Sequence, residues 1–282
     1  GAVHGVYLKY VGLSAVSYAG YTYLLTNTDA SDLLTVSNIR HLVSNGTLAT
    51  DALRNIPLNA TTLQNSATAI LKYSALLNGA IACLFKAEIG MSLIGKNPTN
   101  GQIPLWSYML YFPFHLPSIL YTRIHASKDR KKTGDKKVPT ASEVQPGWYV
   151  GGMYADTLGK EWGGVVDLTV EFPERCINST KSYKLVASWD GVPASPEKIE
   201  EAASFAVEAR KKGDVLVHCA HGRGRSTTLM CAALVKAGLF DTWHEAFEKG
   251  IKPGRSVCKL NKRMKAALTE WQSIYVDNKK ES

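Results

Sequence analysis

Residues 218–227 combine side-chain types and a spacing that could carry out phosphoryl transfer. Cys219 precedes Arg225 with five residues between them, and two of these five are glycines, Gly222 and Gly224. A thiolate is a strong nucleophile, and the planar guanidinium of arginine can bind two oxygens of one phosphate group. The glycines permit positive φ and a close approach of the backbone to an anion. The spacing therefore predicts a phosphate-binding loop built around a nucleophilic cysteine.

The residues on either side of this loop predict a strand before it and a helix after it. Residues 214–217 are mostly β-branched and apolar, which is typical of a buried strand in a parallel sheet, and residues 226–236 are rich in Ala and Leu and end near Gly238. At such a turn the free backbone N–H groups and the positive end of the helix dipole favour an anion. We therefore expect the pKa of the Cys219 thiol to lie below its free value of about 8.5.

Thiolate attack on a phosphate ester also requires a proton donor for the leaving oxygen, and Asp190 is the candidate. It follows a strand-like segment, residues 183–187, and precedes a predicted helix with Ser195 as N-cap and Pro196 as its first residue. Asp167 is the rival acid. We rank it below Asp190 because residues 165–170 predict a strand and not a loop.

The pattern His218-Cys219-x5-Arg225-Ser226 is similar to the signature of the cysteine-dependent protein tyrosine phosphatase superfamily. The rest of the C-terminal half resembles its compact dual-specificity branch: residues 147–152 resemble the opening strand, residues 163–168 the next core strand, and residues 254–261 the turn and final helix. The match extends from about residue 138 to about residue 275. The resemblance implies an α/β fold, with a central, mainly parallel sheet flanked by helices.

The resemblance also implies an enzyme, a phosphoric monoester hydrolase that needs no metal or other cofactor. Cys219 would attack phosphorus to form a phosphocysteine, Asp190 would protonate the leaving oxygen and later activate water, and Ser226 would assist departure of the thiolate. His218 is expected to support the loop by hydrogen bonding. The remaining phosphate-binding loop residues are Ala220, His221, Gly222, Arg223 and Gly224.

Three other interpretations of the loop are possible. His218, Cys219 and His221 are metal-ligand types, but the paired spacing of a zinc site is missing. A rhodanese-like sulfur-transfer domain also places a cysteine loop between strand and helix, yet it needs no acid such as Asp190. A catalytically silent phosphate-binding module remains an alternative, although Cys219 and Asp190 are dispensable for anion binding alone.

The expected substrate is a phosphorylated protein, and the expected activity is that of a dual-specificity phosphatase acting on Tyr, Ser and Thr esters. His221 and Arg223 add possible positive charge, and the run of residues 222–225 resembles the basic loops of phospholipid-directed members of the superfamily. Hydrolysis of a phosphoinositide or another phospholipid headgroup is therefore the alternative activity.

The N-terminal part has a different composition, and we predict three regions: a mostly helical hydrophobic region 1–125, a basic linker 126–138 and the catalytic domain 139–282. Three stretches, 6–25, 67–85 and 103–121, have the length of about 20 residues that crosses a bilayer as a helix. Charged residues or prolines interrupt each of them, so a soluble helical domain is the alternative. The third stretch is rich in aromatic residues and also suits the headgroup region.

The charge distribution indicates the cellular setting. The basic run 128–137 follows the third stretch, which predicts membrane association through residues 1–125 with the catalytic domain facing the cytosol, or a cytoplasmic protein if residues 1–125 are soluble. Five cysteines without a paired pattern fit a reducing compartment. The net charge of +9 suits anionic substrates and membrane surfaces, and no nucleic-acid-binding motif is present, so no nucleic-acid partner is expected.

Overall fold

The computed structural model describes residues 3–26, 60–131 and 138–278. The helices of these residues are α1 (Val3–Thr26), α2 (Ala60–Ala87), α3 (Leu105–Leu110), α4 (Phe112–Lys131), α5 (Pro196–Arg210), α6 (Arg225–Lys236), α7 (Trp243–Glu245, continued by a π-helical turn Ala246–Ile251) and α8 (Lys262–Gln272, continued by a π-helical turn Ser273–Asp277). The strands are β1 (Ala141–Gln145), β2 (Trp148–Gly151), β3 (Gly164–Thr169), β4 (Tyr183–Ser188) and β5 (Val215–His218).

The chain divides into two compact units, one formed by Gly1–Val6 with Leu84–Ser282 and the other by Tyr7–Cys83. Within the second unit, α1 and α2 pack against each other in opposite directions. The Ser14 hydroxyl donates to the carbonyl of Ala75 at 2.7 Å, and the Gln64 amide donates to the carbonyl of Leu24 at 2.9 Å. The predicted helical character of the N-terminal region is confirmed for the described residues.

The first unit contains a five-stranded sheet in the order β1-β2-β5-β3-β4. β5 lies in the centre and pairs in parallel with β2 and β3, β3 pairs in parallel with β4, and β1 pairs antiparallel with β2. The apolar core joins these strands to the helices α5, α6 and α8 through residues such as Val166, Val217, Ile199, Leu229 and Leu268. The predicted α/β fold with a mainly parallel sheet flanked by helices is confirmed.

The elements around the predicted loop also agree with the sequence. β5 is fully buried, α6 begins at Arg225, and α5 has Ser195 as its N-cap and Pro196 as its first residue. The prediction that residues 147–152 form the opening strand is wrong, because β1 precedes them at the edge of the sheet. β1 carries the sequence Ala-Ser-Glu-Val-Gln and a register shift, so it lacks the apolar run of a central strand.

Residues between 84 and 131 belong to the same compact unit as the sheet. The indole of Trp189 is 1 % exposed and lies against the rings of Phe85 and Phe114, with ring centroids 5.6 and 5.8 Å away. Its N–H donates to the carbonyl of Ile89 at 2.9 Å. The predicted boundary near residue 125 therefore does not coincide with the division between the two units. A helix that buries one face in protein and a helix in lipid can have the same apolar composition. Composition alone therefore assigned the residues between 84 and 125 to the hydrophobic N-terminal region.

The predicted membrane stretches do not all form a long apolar helix in the structure. Among the described residues one helix, Thr62–Ala87 with mean hydropathy 1.4, is long and apolar enough to cross a bilayer, and it overlaps the second stretch. The core helix of a soluble protein can have the same properties. The third stretch is interrupted at Tyr111, where α3 ends and α4 begins. The predicted linker starts as the last turns of α4, and its residues 132–137 lie outside the described residues.

Candidate active site

Cys219 lies at the turn between β5 and α6. Its backbone N–H donates to the carbonyl of Gly151 at 3.2 Å, and its side chain is buried. The sulfur lies 3.4 Å from the hydroxyl oxygen of Ser226 and accepts hydrogen bonds from the backbone N–H groups of Ser226 and Arg223. Gly222 has φ +65°, and a Cβ at this position would lie 2.4 Å from the carbonyl carbon of Gly151, so the loop requires glycine here.

The surroundings of Cys219 favour its thiolate form. Burial on its own raises the pKa of the thiol, but the charge of Arg225 and the hydrogen bonds from Ser226 and Arg223 outweigh burial, and the pKa is lowered overall. By contrast, burial raises the pKa of Cys231 in α6 well above its usual value, and burial also raises the pKa of Cys258. Cys219 is therefore the nucleophile candidate among these three buried cysteines.

The Arg225 side chain is buried and held in a fixed orientation. Its two terminal nitrogens bind the carboxylate of Glu171 at 2.6 and 3.1 Å, and Nη1 also donates to the carbonyls of Leu168 and Ser188 at 3.0 and 2.7 Å. Burial alone would lower its pKa, but the charges of Glu171 and Asp190 raise it, so the guanidinium stays charged. Glu171 uses one edge of the guanidinium, and Nε has no partner among the described residues. The edge formed by Nε and Nη2 therefore keeps donors that could bind a phosphate group.

Asp190 lies beside this available edge. Its Oδ1 is 3.5 Å from Nη2 of Arg225, and its side chain is 42 % exposed. The loop that carries it is fixed on one side by buried Trp189 and on the other by Asn261, whose amide donates to the carbonyl of Gly191 at 2.9 Å. The structure thus brings Cys219, Arg225, Ser226 and Asp190 to one site, as the sequence predicts. The role of Asp190 as the acid stays a prediction.

Asp167, the rival acid, occupies a different environment. It is fully buried on β3 and forms an ion pair with the ammonium of Lys96, which also donates to the hydroxyl and carbonyl oxygens of Thr169 at 2.9 Å each. Burial would raise its pKa, but the charges of Lys96 and His218 outweigh burial and lower it. A fully buried, ionised aspartate cannot deliver a proton to a substrate, so Asp190 remains the candidate.

His218 supports the loop through a carboxylate. Its Nε2 lies 2.6 Å from Oε2 of Glu174, and both side chains are buried. Burial would lower the pKa of His218, but the charges of Glu174 and Asp167 raise it to about 9, so the imidazole is protonated at neutral pH. Asp167, Glu174 and His218 could together offer ligands to a metal ion. We assign none to this cluster, because the ammonium of Lys96 already supplies a positive charge at Asp167.

In the structure, the two loop residues that the sequence suggested as extra positive charges, His221 and Arg223, are neutral and ion-paired, respectively. The guanidinium of Arg223 forms an ion pair with Asp129 of α4 at 2.5 Å. Burial lowers the pKa of His221 to about 4, so its ring is neutral at physiological pH. That ring lies 6.1 Å from Tyr121 and 6.0 Å from His125, both in α4. The sequence could not show these partners, because α4 lies far from the loop along the chain.

Arg255 is a further residue that the sequence did not single out. It is buried, and its guanidinium donates to the carbonyls of Gly222 at 2.8 Å, His221 at 3.2 Å and Pro139 at 2.9 Å. These bonds hold the carbonyls of two loop residues, Gly222 and His221, and join the loop to Pro139. Arg255 therefore positions the loop backbone, and it follows Gly254 in the segment compared with the family turn.

No protein-family model matches the sequence, and no curated protein matches it. Solved structures similar to the chain include human DUSP28, at 18 % identity over 48 % of this chain and 95 % of that chain with a TM-score of 0.42. They also include Tk-PTP in its active form, at 21 % identity over 48 % and 97 % with a TM-score of 0.41. PTPMT1 is similar at 16 % identity over 50 % and 99 % with a TM-score of 0.40.

Proposed function

We propose that this chain is a cysteine-dependent phosphatase that hydrolyses phosphate monoesters through a phosphocysteine intermediate. The observation that carries the proposal is the arrangement of Cys219, whose thiol pKa is lowered, beside a buried Arg225 with one guanidinium edge available. Asp190 stands at that same edge. A binding module needs the arginine but neither a nucleophile nor an exposed carboxyl beside it, so the arrangement favours catalysis over silent binding.

In the first step the Cys219 thiolate attacks phosphorus, and the bond between phosphorus and the ester oxygen breaks. Arg225 and the backbone N–H groups of the loop bind the non-bridging oxygens, whose charge they stabilise. The Asp190 carboxyl, protonated at the start, transfers its proton to the leaving oxygen. The products are a free alcohol or phenol and a phosphocysteine.

In the second step water attacks the phosphocysteine and gives a proton to the Asp190 carboxylate. The bond between phosphorus and sulfur breaks, and inorganic phosphate leaves. The Ser226 hydroxyl, 3.4 Å from the sulfur, donates a hydrogen bond to the thiolate as it forms. The acid and the nucleophile are then restored to their starting protonation states.

For the substrate we propose phosphorylated Tyr, Ser and Thr side chains of proteins. The loop charges that had pointed to phosphoinositides or other phospholipids are neutralised, because Arg223 pairs with Asp129 and His221 is uncharged. Within the loop, the charge that we assign to phosphate binding is that of Arg225, which also lowers the pKa of the Cys219 thiol. We further propose that the chain works at a membrane, since the helix Thr62–Ala87 has the length and hydropathy of a span, and that the catalytic unit faces the cytosol, since the basic run 128–137 precedes it.

The test is phosphate release from aryl phosphates by the full chain, by Cys219→Ser and by Asp190→Asn. We expect Cys219→Ser to abolish turnover and Asp190→Asn to reduce kcat by about 10²–10⁴ when the leaving group is weakly acidic. The reduction should be much smaller for a strongly acidic leaving phenol, which needs no proton. Wild-type turnover no faster than that of Cys219→Ser would overturn the enzyme proposal.

Substrate class is tested separately, with phosphopeptides and with vesicles that contain phosphoinositide or phosphatidylglycerophosphate. We expect kcat/KM to be higher for the phosphopeptides. A higher kcat/KM for a phospholipid would mean that the substrate is a lipid and not a protein, and it would leave the proposed mechanism unchanged.

A further inference from the structure

Large apolar side chains of α3 and α4 are exposed in the described part of the structure. Leu105 and Met109 of α3 are 73 % and 71 % exposed, and Leu116 of α4 is 64 % exposed. Ile119 and Leu120 continue this face, at the spacing of three and four residues that places side chains on one side of a helix. We call the face formed by Leu105, Trp106, Met109, Leu116, Ile119 and Leu120 the outer apolar face. An apolar surface of this extent in a soluble protein marks an interaction site.

The opposite side of the same two helices is occupied by the catalytic unit. Phe114 and His115 of α4 are buried, and Phe114 packs on Trp189 beside the candidate acid. Further along α4, His125 and Asp129 contact the loop residues His221 and Arg223. The outer apolar face therefore cannot turn into the protein core without breaking the contacts that α4 makes to the candidate active site.

Basic residues outnumber acidic ones in and just after this segment, although Asp129 and Asp135 lie within the basic run. The sequence from residue 89 to residue 128 contains no Asp or Glu. Arg123 lies seven residues after Leu116 and three after Leu120, so it stands on their side of α4, and Lys128 is exposed in a later turn of the helix. The basic run 128–137 continues beyond it. Apolar side chains followed by exposed lysine and arginine match a bilayer surface that contains anionic lipid.

We propose that the outer apolar face docks in the plane of an anionic membrane surface, with Trp106 at the level of the headgroups. The helix Thr62–Ala87, the candidate span, ends shortly before α3 in the chain, so the face lies in a segment that already adjoins a membrane-compatible helix. α3 has six residues and α4 carries charges in its second half, so neither crosses the bilayer. Two copies of the chain meeting through this face would bring basic residues together, which favours lipid over self-association.

The docked orientation has a consequence for the candidate active site. α4 contacts the loop with one side and the membrane with the other, so the site lies about one helix diameter, roughly 10 Å, from the lipid surface. Substrates on membrane proteins or at the membrane surface would then be within reach. The docking proposal itself does not depend on the catalytic mechanism, and its test does not use turnover.

The test reconstitutes the full chain in phosphatidylcholine vesicles, with and without phosphatidylserine, and measures quenching of tryptophan emission by brominated lipids. Trp106 is half exposed on the outer apolar face, whereas Trp148, Trp162, Trp189 and Trp271 are buried in the catalytic unit. We expect Trp106→Phe to remove most of the lipid-dependent quenching. The matched control Trp243→Phe, in α7, should retain it.

The position of the bromine reports the depth. We expect bromine near the headgroup to quench Trp106 more than bromine near the chain end. The reverse order would mean that the segment crosses the membrane, and it would overturn in-plane docking. Quenching by aqueous iodide that is the same with and without vesicles would overturn membrane contact altogether. If protection of Trp106 from iodide in detergent rises with protein concentration, the face binds a second copy of the chain.

The basic residues provide an independent arm of the test. The pair Arg123→Gln with Lys128→Gln should lose the increase in Trp106 quenching that phosphatidylserine produces. The control pair Lys262→Gln with Lys265→Gln, exposed on α8, should keep that increase. An equal response of both pairs would refute the role of charge on this face.

Discussion

The contact between Phe114 and Trp189 allows a test of whether the helical segment before residue 131 positions the candidate acid. Phe114 is fully buried, and its ring meets the Trp189 indole edge to face at 5.8 Å, one residue from Asp190. Truncation of a buried phenylalanine to alanine costs about 3–5 kcal/mol of folding stability. The aromatic contact itself accounts for about 0.5–1.5 kcal/mol. That smaller energy is the part that biases the acid loop toward its observed position.

The expected kinetic effect of Phe114→Ala follows from this energy. Trp189 keeps its contact with Phe85 and its hydrogen bond to Ile89, so the loop is weakened and not released. Loss of about 0.5–1.5 kcal/mol lowers the equilibrium constant for the competent loop by about 2- to 12-fold. We therefore expect kcat to fall by up to about tenfold for an aryl phosphate with a weakly acidic leaving group. For a strongly acidic leaving phenol, which does not need Asp190, kcat should change little.

The matched control is Phe247→Ala, a nearly buried phenylalanine in the core next to α6. It should lower the Tm by a comparable amount and leave the ratio of the two kcat values unchanged. All variants are assayed at a temperature where circular dichroism shows them folded. Equal loss of kcat for both leaving groups in Phe114→Ala, or the same change of ratio in Phe247→Ala, would refute positioning of the acid by the helical segment.

Three further outcomes test the charged groups around the loop. Lys96→Met leaves Asp167 buried without its ion pair, and it should lower the free energy of unfolding by about 3–5 kcal/mol in urea titrations; a change below about 1 kcal/mol would contradict the buried pair. Glu171→Gln keeps the size of the side chain but removes the charge that holds Arg225. It should raise KM for an aryl phosphate, and its Tm should fall little further than the Tm of Lys96→Met. An unchanged KM would count against this role of Glu171. The pKa of His218 is raised from 6.5 to about 9, so protonation of His218 adds about 3 kcal/mol to the free energy of unfolding. This stabilisation is fully present below pH 6.5 and is lost as the pH rises through 9. Thermal unfolding across that pH range should show the loss, and Tm values that rise with pH would contradict a protonated His218.

The sequence was sufficient to predict the loop and its supporting elements. The signals are local there: a β-branched run makes β5, glycines permit the turn, and Ser195 with Pro196 starts α5. Such patterns depend on neighbours in the chain, and the backbone geometry follows from them. The candidate acid was found in the same way, because its loop lies between a predictable strand and a predictable helix.

The partners of the site residues were not predictable from one sequence. Glu171 lies 54 residues from Arg225, Lys96 lies 71 residues from Asp167, and Asp129 lies 94 residues from Arg223. Each pair forms only when separate elements pack, and no local pattern marks a lysine or glutamate that will be buried. The same limit applies to Phe85 and Phe114: they lie in apolar stretches that suggested a membrane, but their rings pack against Trp189.

Direct detection of the phosphocysteine tests the central proposal most closely. The full-length Ser226→Ala variant, in which breakdown of the intermediate should be slowed, is mixed with a phosphopeptide, quenched in acid and digested with trypsin. Residues 213–223 form one tryptic peptide with Cys219 as its single cysteine. We predict an acid-stable phosphoryl group on the Cys219 sulfur of this peptide, absent after the same treatment of Cys219→Ser. Turnover of the phosphopeptide without any such adduct would contradict Cys219 as the nucleophile, as would a phosphoryl group on a histidine of the peptide in a parallel sample quenched in alkali.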